Sequence, residues 1–332
     1  MNGGKLIGVG SDTCVFRPNI PCRNKKTTIN DNTISKVFLR KPKELNKEIK
    51  MNKLVSDIKG SNKWSVTLSN KCNTESYEKI REYEPDIDKC LEDNEYQTLD
   101  NDIMLYGDYG GISMKTRFEE IFYNNDINNF KTFIKECSSL FTGLYSLHKH
   151  KIIHYDIKPG NITYDNGNFK YIDFGLSAKF TDKKIIEKRS LSEFGTERLY
   201  IYYPYDLLYM YSSEPKLYIE RYSSYRRNHN YVKNLNRSLF GRNIDVEHES
   251  ILIDAINNKI NKKEVVEKLD TYSLGITIIS LLLDRFGNKL VNLFDMNEIK
   301  PFAELLRRMT EMDSKNRISS ADAHKIFNKL IN

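Results

Sequence analysis

The chain has 332 residues, 39% of them apolar, with 16 Gly and 8 Pro, which is enough to fill a sizeable core and excludes a low-complexity polymer. A formal charge of +7 permits attraction to phosphate or acidic partners without choosing a function. The longest apolar run, Leu274 to Leu283, is about half of what a bilayer requires, so no membrane span is expected. The N-terminus lacks the basic and apolar blocks of a signal peptide.

In chain order, short β-like runs lie at Lys5 to Ile7, Cys14 to Phe16, Ile34 to Leu39 and Ile103 to Tyr106. Between the last two, Leu45, Ile49, Met51, Leu54, Val55 and Ile58 recur at spacings of three and four, predicting a helix from Lys43 to Ile58. A long polar stretch follows it, containing Trp64 and a second helix around Tyr77 to Leu91. After Gly110 and Gly111 the pattern turns to long helices: Phe130 to His148, and Asp270 to Leu283, which is apolar nearly all round and reads as a buried central helix. A small β-rich part is thus followed by a larger helical part, the two joined near 106–111.

Cys14, Cys22, Cys72, Cys90 and Cys137 are odd in number, widely spread and without a C-x-x-C pair. Neither a disulfide framework nor a zinc site is expected, and a reducing cytoplasmic location fits best. Cys14 reads as a space-filling residue, and His148 and His150 as capping or packing residues at a helix end rather than metal ligands.

Two segments carry chemistry. Ile7-Gly8-Val9-Gly10, followed by Val15, sets two glycines in a turn between strands, where backbone N–H groups can approach a phosphate; alone, an ordinary glycine hairpin explains it better. Far more specific is His154-Tyr155-Asp156-Ile157-Lys158-Pro159-Gly160-Asn161 with Asp173-Phe174-Gly175 shortly after. Phosphoryl transfer needs one carboxylate to orient the attacking hydroxyl and further oxygen ligands to hold Mg²⁺, and Asp156, Asn161 and Asp173 supply that set.

Together these segments resemble the eukaryotic protein kinase family: a glycine loop, a strand lysine, H-R-D-x-K-x-x-N and D-F-G. The resemblance implies an α+β, bilobal kinase-like fold, with an N-lobe over 1–105, a hinge at 106–111, and a helical C-lobe over 112–332 carrying a long insertion at about 207–268. It implies Asp156 as the catalytic base and Lys158 as a γ-phosphate contact. Asn161 and Asp173 become the Mg²⁺ ligands, and Ile7, Gly8, Val9, Gly10 and Val15 the ATP-binding turn. Lys36, in the apolar run Ile34 to Leu39, resembles the lysine that meets the α- and β-phosphates. Its partner is Glu44 or Glu48, which share a helix face; the run from Glu48 to Leu54 resembles the family's and favours Glu48. Asp270 resembles the aspartate that binds the catalytic-loop backbone, although a plain helix cap is its rival. Arg317 resembles the buried arginine whose acidic partner closes the activation segment. That partner is not evident, and Asp206 is the substitute nearest the missing A-P-E.

Gly195-Thr196 resembles the substrate-side pair of Ser/Thr kinases, and Lys158, two residues after Asp156, favours Ser/Thr over Tyr. Thr13 replaces the third loop glycine, Thr163 stands where an apolar residue usually lies under adenine, and Tyr155 replaces the arginine that normally receives an activation-loop phosphate. A Ser/Thr protein kinase using ATP and Mg²⁺, independent of activation-loop phosphorylation, is the expectation. Its rivals are a kinase-shaped scaffold without catalysis and a kinase-like enzyme acting on a small molecule or lipid. Lys216, Arg221, Arg226, Arg227, Lys233, Arg237 and Arg242, interleaved with tyrosines, suit an acidic protein substrate, and less well single-stranded nucleic acid, against a plain solvated loop. The glycine turn followed by Val15-Phe16-x-Pro18-x-Ile20-x-Cys22, together with the two insertions, resembles kinases of large cytoplasmic DNA viruses.

Overall fold

The computed structural model describes residues 5–10, 12–23, 25–26, 29–39, 42–99, 102–124, 128–194, 200–215 and 223–331. The chain forms two compact units, Met1–Gly111 with Ile172–Gly175, and Ile112–Tyr171 with Leu176–Asn332.

The first unit is built on a five-stranded antiparallel sheet of β1 (Lys5–Gly10), β2 (Thr13–Arg17), β3 (Thr33–Phe38), β4 (Asn70–Asn73) and β5 (Ile103–Asp108), in the order β1-β2-β3-β5-β4. Period-two alternation gives the sheet two apolar faces. Phe38 and Leu105 pack with Leu45 of α1 (Pro42–Ser56) on one side. Cys14, Phe16 and Val37 pack on the other, together with Ile80, Ile87, Cys90 and Leu91 from α2 (Tyr77–Tyr83) and α3 (Ile87–Asp93). The long stretch after α1, polar in composition, therefore supplies a good part of this unit's core.

The same packing corrects the cysteine expectation. Two disulfides are present, Cys14–Cys90 and Cys22–Cys72, closing sequence separations of 76 and 50 residues, and Cys137 is the one free cysteine, buried. Cys14 is not a space filler: it lies on the inward face of β2 and ties that strand to α3. The absence of a disulfide framework was one ground for the cytoplasmic expectation, and that ground is gone. The longer closure alone removes about 4 kcal/mol of unfolded-chain entropy; the loops are nested, so the second adds less. Denatured without reductant, the chain is expected to react with one equivalent of maleimide, and with five after reduction. Labelling of three or more thiols before reduction would contradict the pairing.

The second unit holds a three-stranded antiparallel sheet of β6 (Ile112–Ser113), β8 (Ile162–Asp165) and β9 (Asn168–Tyr171), and a two-stranded pair of β7 (Ile152–Ile153) with β10 (Ala178–Lys179). Among its helices are α4 (Met114–Ile121), α5 (Asn128–Glu136), α6 (Ser138–Lys149), α7 (Lys183–Phe194) and α8 (Tyr205–Tyr209). The expected central helix begins earlier than its apolar run, at a start capped by Asn261, whose side chain accepts from the Glu264 N–H; it continues as α11 (Lys262–Phe286), buried from Leu269 to Leu282. Among the described residues no helix is long and apolar enough to cross a membrane.

The Tyr- and Arg-rich stretch is not a plain loop. It folds as α9 (Ser223–Phe240) and α10 (Ile244–Ile256). Tyr205 pairs with His229 Nδ1 and Tyr209 with His248 Nε2, each at 2.8 Å, which ties α8 to both helices. Burial first, and His229 second, push the His248 pKa down to about 4. Part of the cationic set is internal. Arg242, 9% exposed, bonds Glu247, Glu311 and Asn236, and Lys233 pairs with Asp245. Arg227 and Arg237 are exposed. Lys216 and Arg221 lie outside the described residues, as do Gly195 and Thr196; the side chain of Arg226 is likewise not described.

Candidate active site

In the first unit, strand register decides where the lysine points. Lys36 lies opposite Leu105 and on the same face as Phe38, so it points to α1 rather than to the face covered by α2 and α3. Glu48 sits in the buried stripe of α1 with Leu45, Asn52 and Val55, and a carboxylate carried inward there requires a partner. Lys36 Nζ lies 3.0 Å from both Glu48 oxygens and 3.0 Å from Asp173 Oδ1. Burial disfavours the ammonium charge, yet Asp173 and then Glu48 outweigh it and hold the Lys36 pKa above its usual value. Glu48 is thus the partner of Lys36; the side chain of Glu44 lies outside the described ones.

Asp173 has φ 61°, in the left-handed region, and Oδ1 also accepts from the Gly175 N–H at 3.3 Å. A Cβ on Gly175 would meet Glu48 Oε2 at 2.9 Å, so glycine here is what lets the backbone lie against the ion cluster. On β1, a Cβ on Gly10 would lie 2.6 Å from Thr13 Oγ1. Glycine thus lets the turn close without displacing the Thr13 side chain, and Ile7 and Val9 are left exposed, with Val15 paired to Gly8. Such a turn fits close approach of phosphate to backbone N–H groups.

In the second unit the loop after β7 is tied at almost every backbone polar atom. Asp270 accepts from the His154 N–H at 2.6 Å and the Tyr155 N–H at 3.0 Å. Ser177 donates to the His154 carbonyl, Tyr203 to that of Tyr155, and Thr277 to that of Ile157. Asp270 is thus a binder of the loop backbone, with His148 Nε2 3.2 Å away. Full burial raises its carboxyl pKa, but His148 and then His154 prevail and hold it below the usual range. His148 packs edge-on against Phe180, and His150 bonds the Ser146 carbonyl, both in packing or capping roles.

So held, the loop presents Asp156, 8% exposed. Oδ2 receives Asn161 Nδ2 at 2.7 Å and lies 2.9 Å from Lys158 Nζ; Asn161 Nδ2 also donates to the Asp156 carbonyl at 2.9 Å. Both amide hydrogens of Asn161 face Asp156, so its oxygen is the atom suited to a cation. Oδ1 accepts the Tyr200 hydroxyl at 3.1 Å. No motif marked Tyr200; it is one of several tyrosines in a run, and only the fold brings it to a residue 44 positions away.

Elsewhere in this unit Arg317 is fully buried and Nη2 lies 3.1 Å from Asp206 Oδ2, which also accepts from the Ser314 N–H. Asp206 is the acidic partner the sequence left open. Thr163 Oγ1 is buried without a hydrogen-bond partner among the described residues. No group of three or more His, Cys, Asp or Glu side chains able to hold a metal ion occurs among the described residues.

Residues 90–200 match the family model for the protein kinase domain. The match contains Asp156, Lys158, Asn161 and Asp173; Lys36, Glu48 and Arg317 fall outside it. A serine/threonine-protein kinase, CLA4, of Candida albicans is 40% identical over 93 residues, 27% of this chain and 9% of that protein. Serine/threonine-protein kinase 4 homolog B of Dictyostelium discoideum is 35% identical over 82 residues, 24% of this chain and 7% of that protein. Dual specificity protein kinase zak2 of the same organism is 40% identical over 79 residues, 24% of this chain and 11% of that protein. The chain therefore matches only a small part of these relatives' length. The family match and these relatives support a eukaryotic-type protein kinase.

Proposed function

We propose that the chain is a serine/threonine protein kinase transferring the γ-phosphate of ATP to protein hydroxyls with Mg²⁺. What carries this is the Asp156 carboxylate, held by Asn161 and Lys158 in a loop whose backbone is tied from His154 to Ile157. Asp156 orients the acceptor hydroxyl and takes its proton at Oδ1, while Lys158 Nζ neutralises charge on the phosphoryl group. Lys36, steadied by Glu48, meets the α- and β-phosphates, and the turn of Ile7, Gly8, Val9 and Gly10 with Val15 covers the nucleotide. The Asp173 carboxylate and the Asn161 amide oxygen are hard donors, few in number, as suits Mg²⁺, which keeps much of its shell for phosphate and water. When bound, the ion screens the phosphate charge.

Lys158, two residues after Asp156, supports Ser/Thr over Tyr acceptors. Exposed Arg227 and Arg237 support acidic proteins among the substrates. Incubation of the purified chain with ATP, Mg²⁺, casein and matched Ser, Thr and Tyr peptides should give transfer to casein, Ser and Thr that stops on chelation. No transfer to any acceptor would overturn the reading, and equal transfer to Tyr would overturn the preference. The glycine turn and the insertions support a viral kinase, located in the host cytoplasm or the virion; a gene lying among cellular rather than viral genes would remove both readings.

Independence from activation-loop phosphorylation follows from Tyr155. Its ring is fully buried with Ile186 and Tyr203, and a neutral phenol cannot pair with a dianion. α7 is already anchored, since Ser190 is buried and donates to the Leu207 carbonyl at 2.6 Å. Protein treated with phosphatase should therefore keep its activity. A loss on dephosphorylation that rephosphorylation restores would refute this.

A further inference from the structure

We propose that Tyr200 is a positioning residue for the catalytic carboxylate, its hydroxyl fixing the plane in which Asp156 receives the acceptor. The inference rests on the kinase reading and assigns a role that no motif carries. Its starting point is the division of the Asp156 carboxylate. Oδ2 is taken by Asn161 and Lys158, whereas Oδ1, the oxygen left to meet an incoming hydroxyl, accepts the Tyr200 hydroxyl at 3.1 Å. A carboxylate oxygen has two acceptor positions. With one held by Tyr200, the second points in a set direction, and the group cannot swing about its hydrogen bonds at Oδ2.

The support beneath Tyr200 makes this a built arrangement. The Tyr203 ring packs against the Tyr200 ring at 4.8 Å between centroids, and Tyr202 does so at 5.2 Å. The Tyr203 N–H donates to the Tyr200 carbonyl at 3.0 Å, and the Tyr203 hydroxyl to the Tyr155 carbonyl at 2.6 Å, so one residue binds both the segment and the catalytic loop. From α11, Tyr272 donates to the Ile201 carbonyl and Ser273 to that of Tyr202. These ties fix the phenol relative to Asp156, and a donor pre-set on a reacting carboxylate needs no reorganisation during transfer.

Steady-state kinetics of the full chain with Mg²⁺, ATP and a serine peptide test this. Tyr200→Phe keeps the ring packing and removes only the hydroxyl; it should lower kcat roughly tenfold, as loss of a hydrogen bond to a charged group does, with KM for ATP and peptide within about twofold of the parent and an unchanged melting temperature. In an Asp156→Asn background the same substitution should cost nothing further, because the phenol acts through that carboxylate. A Tyr200→Phe variant at the parent kcat, with only Tyr200→Leu impaired, would make Tyr200 mere packing and overturn the proposal. A raised kcat would overturn it too, marking the phenol as an occupant that blocks the acceptor. A parent that transfers phosphate while Tyr200→Phe is unaffected sinks this inference alone; a parent with no transfer sinks the kinase reading with it.

Discussion

Asp156→Asn is expected to lower phosphoryl transfer on the order of 10²- to 10⁴-fold while leaving the fold intact. The amide keeps the volume and can turn its oxygen toward Asn161 Nδ2 and Lys158 Nζ, so the bonds at 2.7 and 2.9 Å survive. Its NH₂ then faces the Tyr200 hydroxyl, which rotates from donor to acceptor. What disappears is the negative oxygen that orients the acceptor hydroxyl and takes its proton. Transfer rates and the circular-dichroism melt, measured together, check both halves. A variant that matches the parent rate would remove Asp156 from the chemistry, and one that fails to fold calls for Asp156→Ser as the control.

Arg317→Met should be the most damaging change to stability outside the chemistry. The guanidinium is fully buried, donates from Nε to the Glu311 carbonyl and from Nη2 to that of Met312, both at 2.7 Å, and meets Asp206. Removing it strands the Asp206 carboxylate, itself 2% exposed, in the interior. Breaking a buried pair by deleting one partner costs about 3–5 kcal/mol, roughly 6 to 20 °C in melting temperature for a unit of this size. Replacing both partners, as Asp206→Leu with Arg317→Met, should recover a large part of the loss, since no uncompensated charge remains. A single substitution that shifts the melt by under about 2 °C would show that the pair carries little of the stability.

The chemistry of the candidate site was legible where it depends on short spacings. Asp156, Lys158 and Asn161 lie within six residues, and Asp173 follows closely, so one run of sequence carries the acid, the cation and the amide that phosphoryl transfer needs. The central helix was equally readable, because an all-round apolar run has few other homes than the interior of a domain. Glu48 was separable from Glu44 only by resemblance; in the structure, the register that turns Lys36 toward α1 and the burial of Glu48 beside Leu45 and Val55 settle its pairing.

What the tertiary structure decided lies at long separation. Asp206 and Arg317 are 111 residues apart, Cys14 and Cys90 are 76 apart, and Tyr200 and Asp156 are 44 apart. The disulfides were misjudged because count and spacing say nothing of which cysteines share a core; that depends on α3 packing on the inward face of β2, which composition does not reveal. The same holds for Arg242. In sequence it is one cation of a basic stretch, but in the fold it is a buried anchor among Glu247, Glu311 and Asn236. Local spacing specifies which groups a segment carries, because the backbone between them is short and its few conformations are set by neighbouring residues. Which groups face one another across the core is fixed by packing, where distant segments are brought together by the burial of apolar surface and polar side chains take the partners found there.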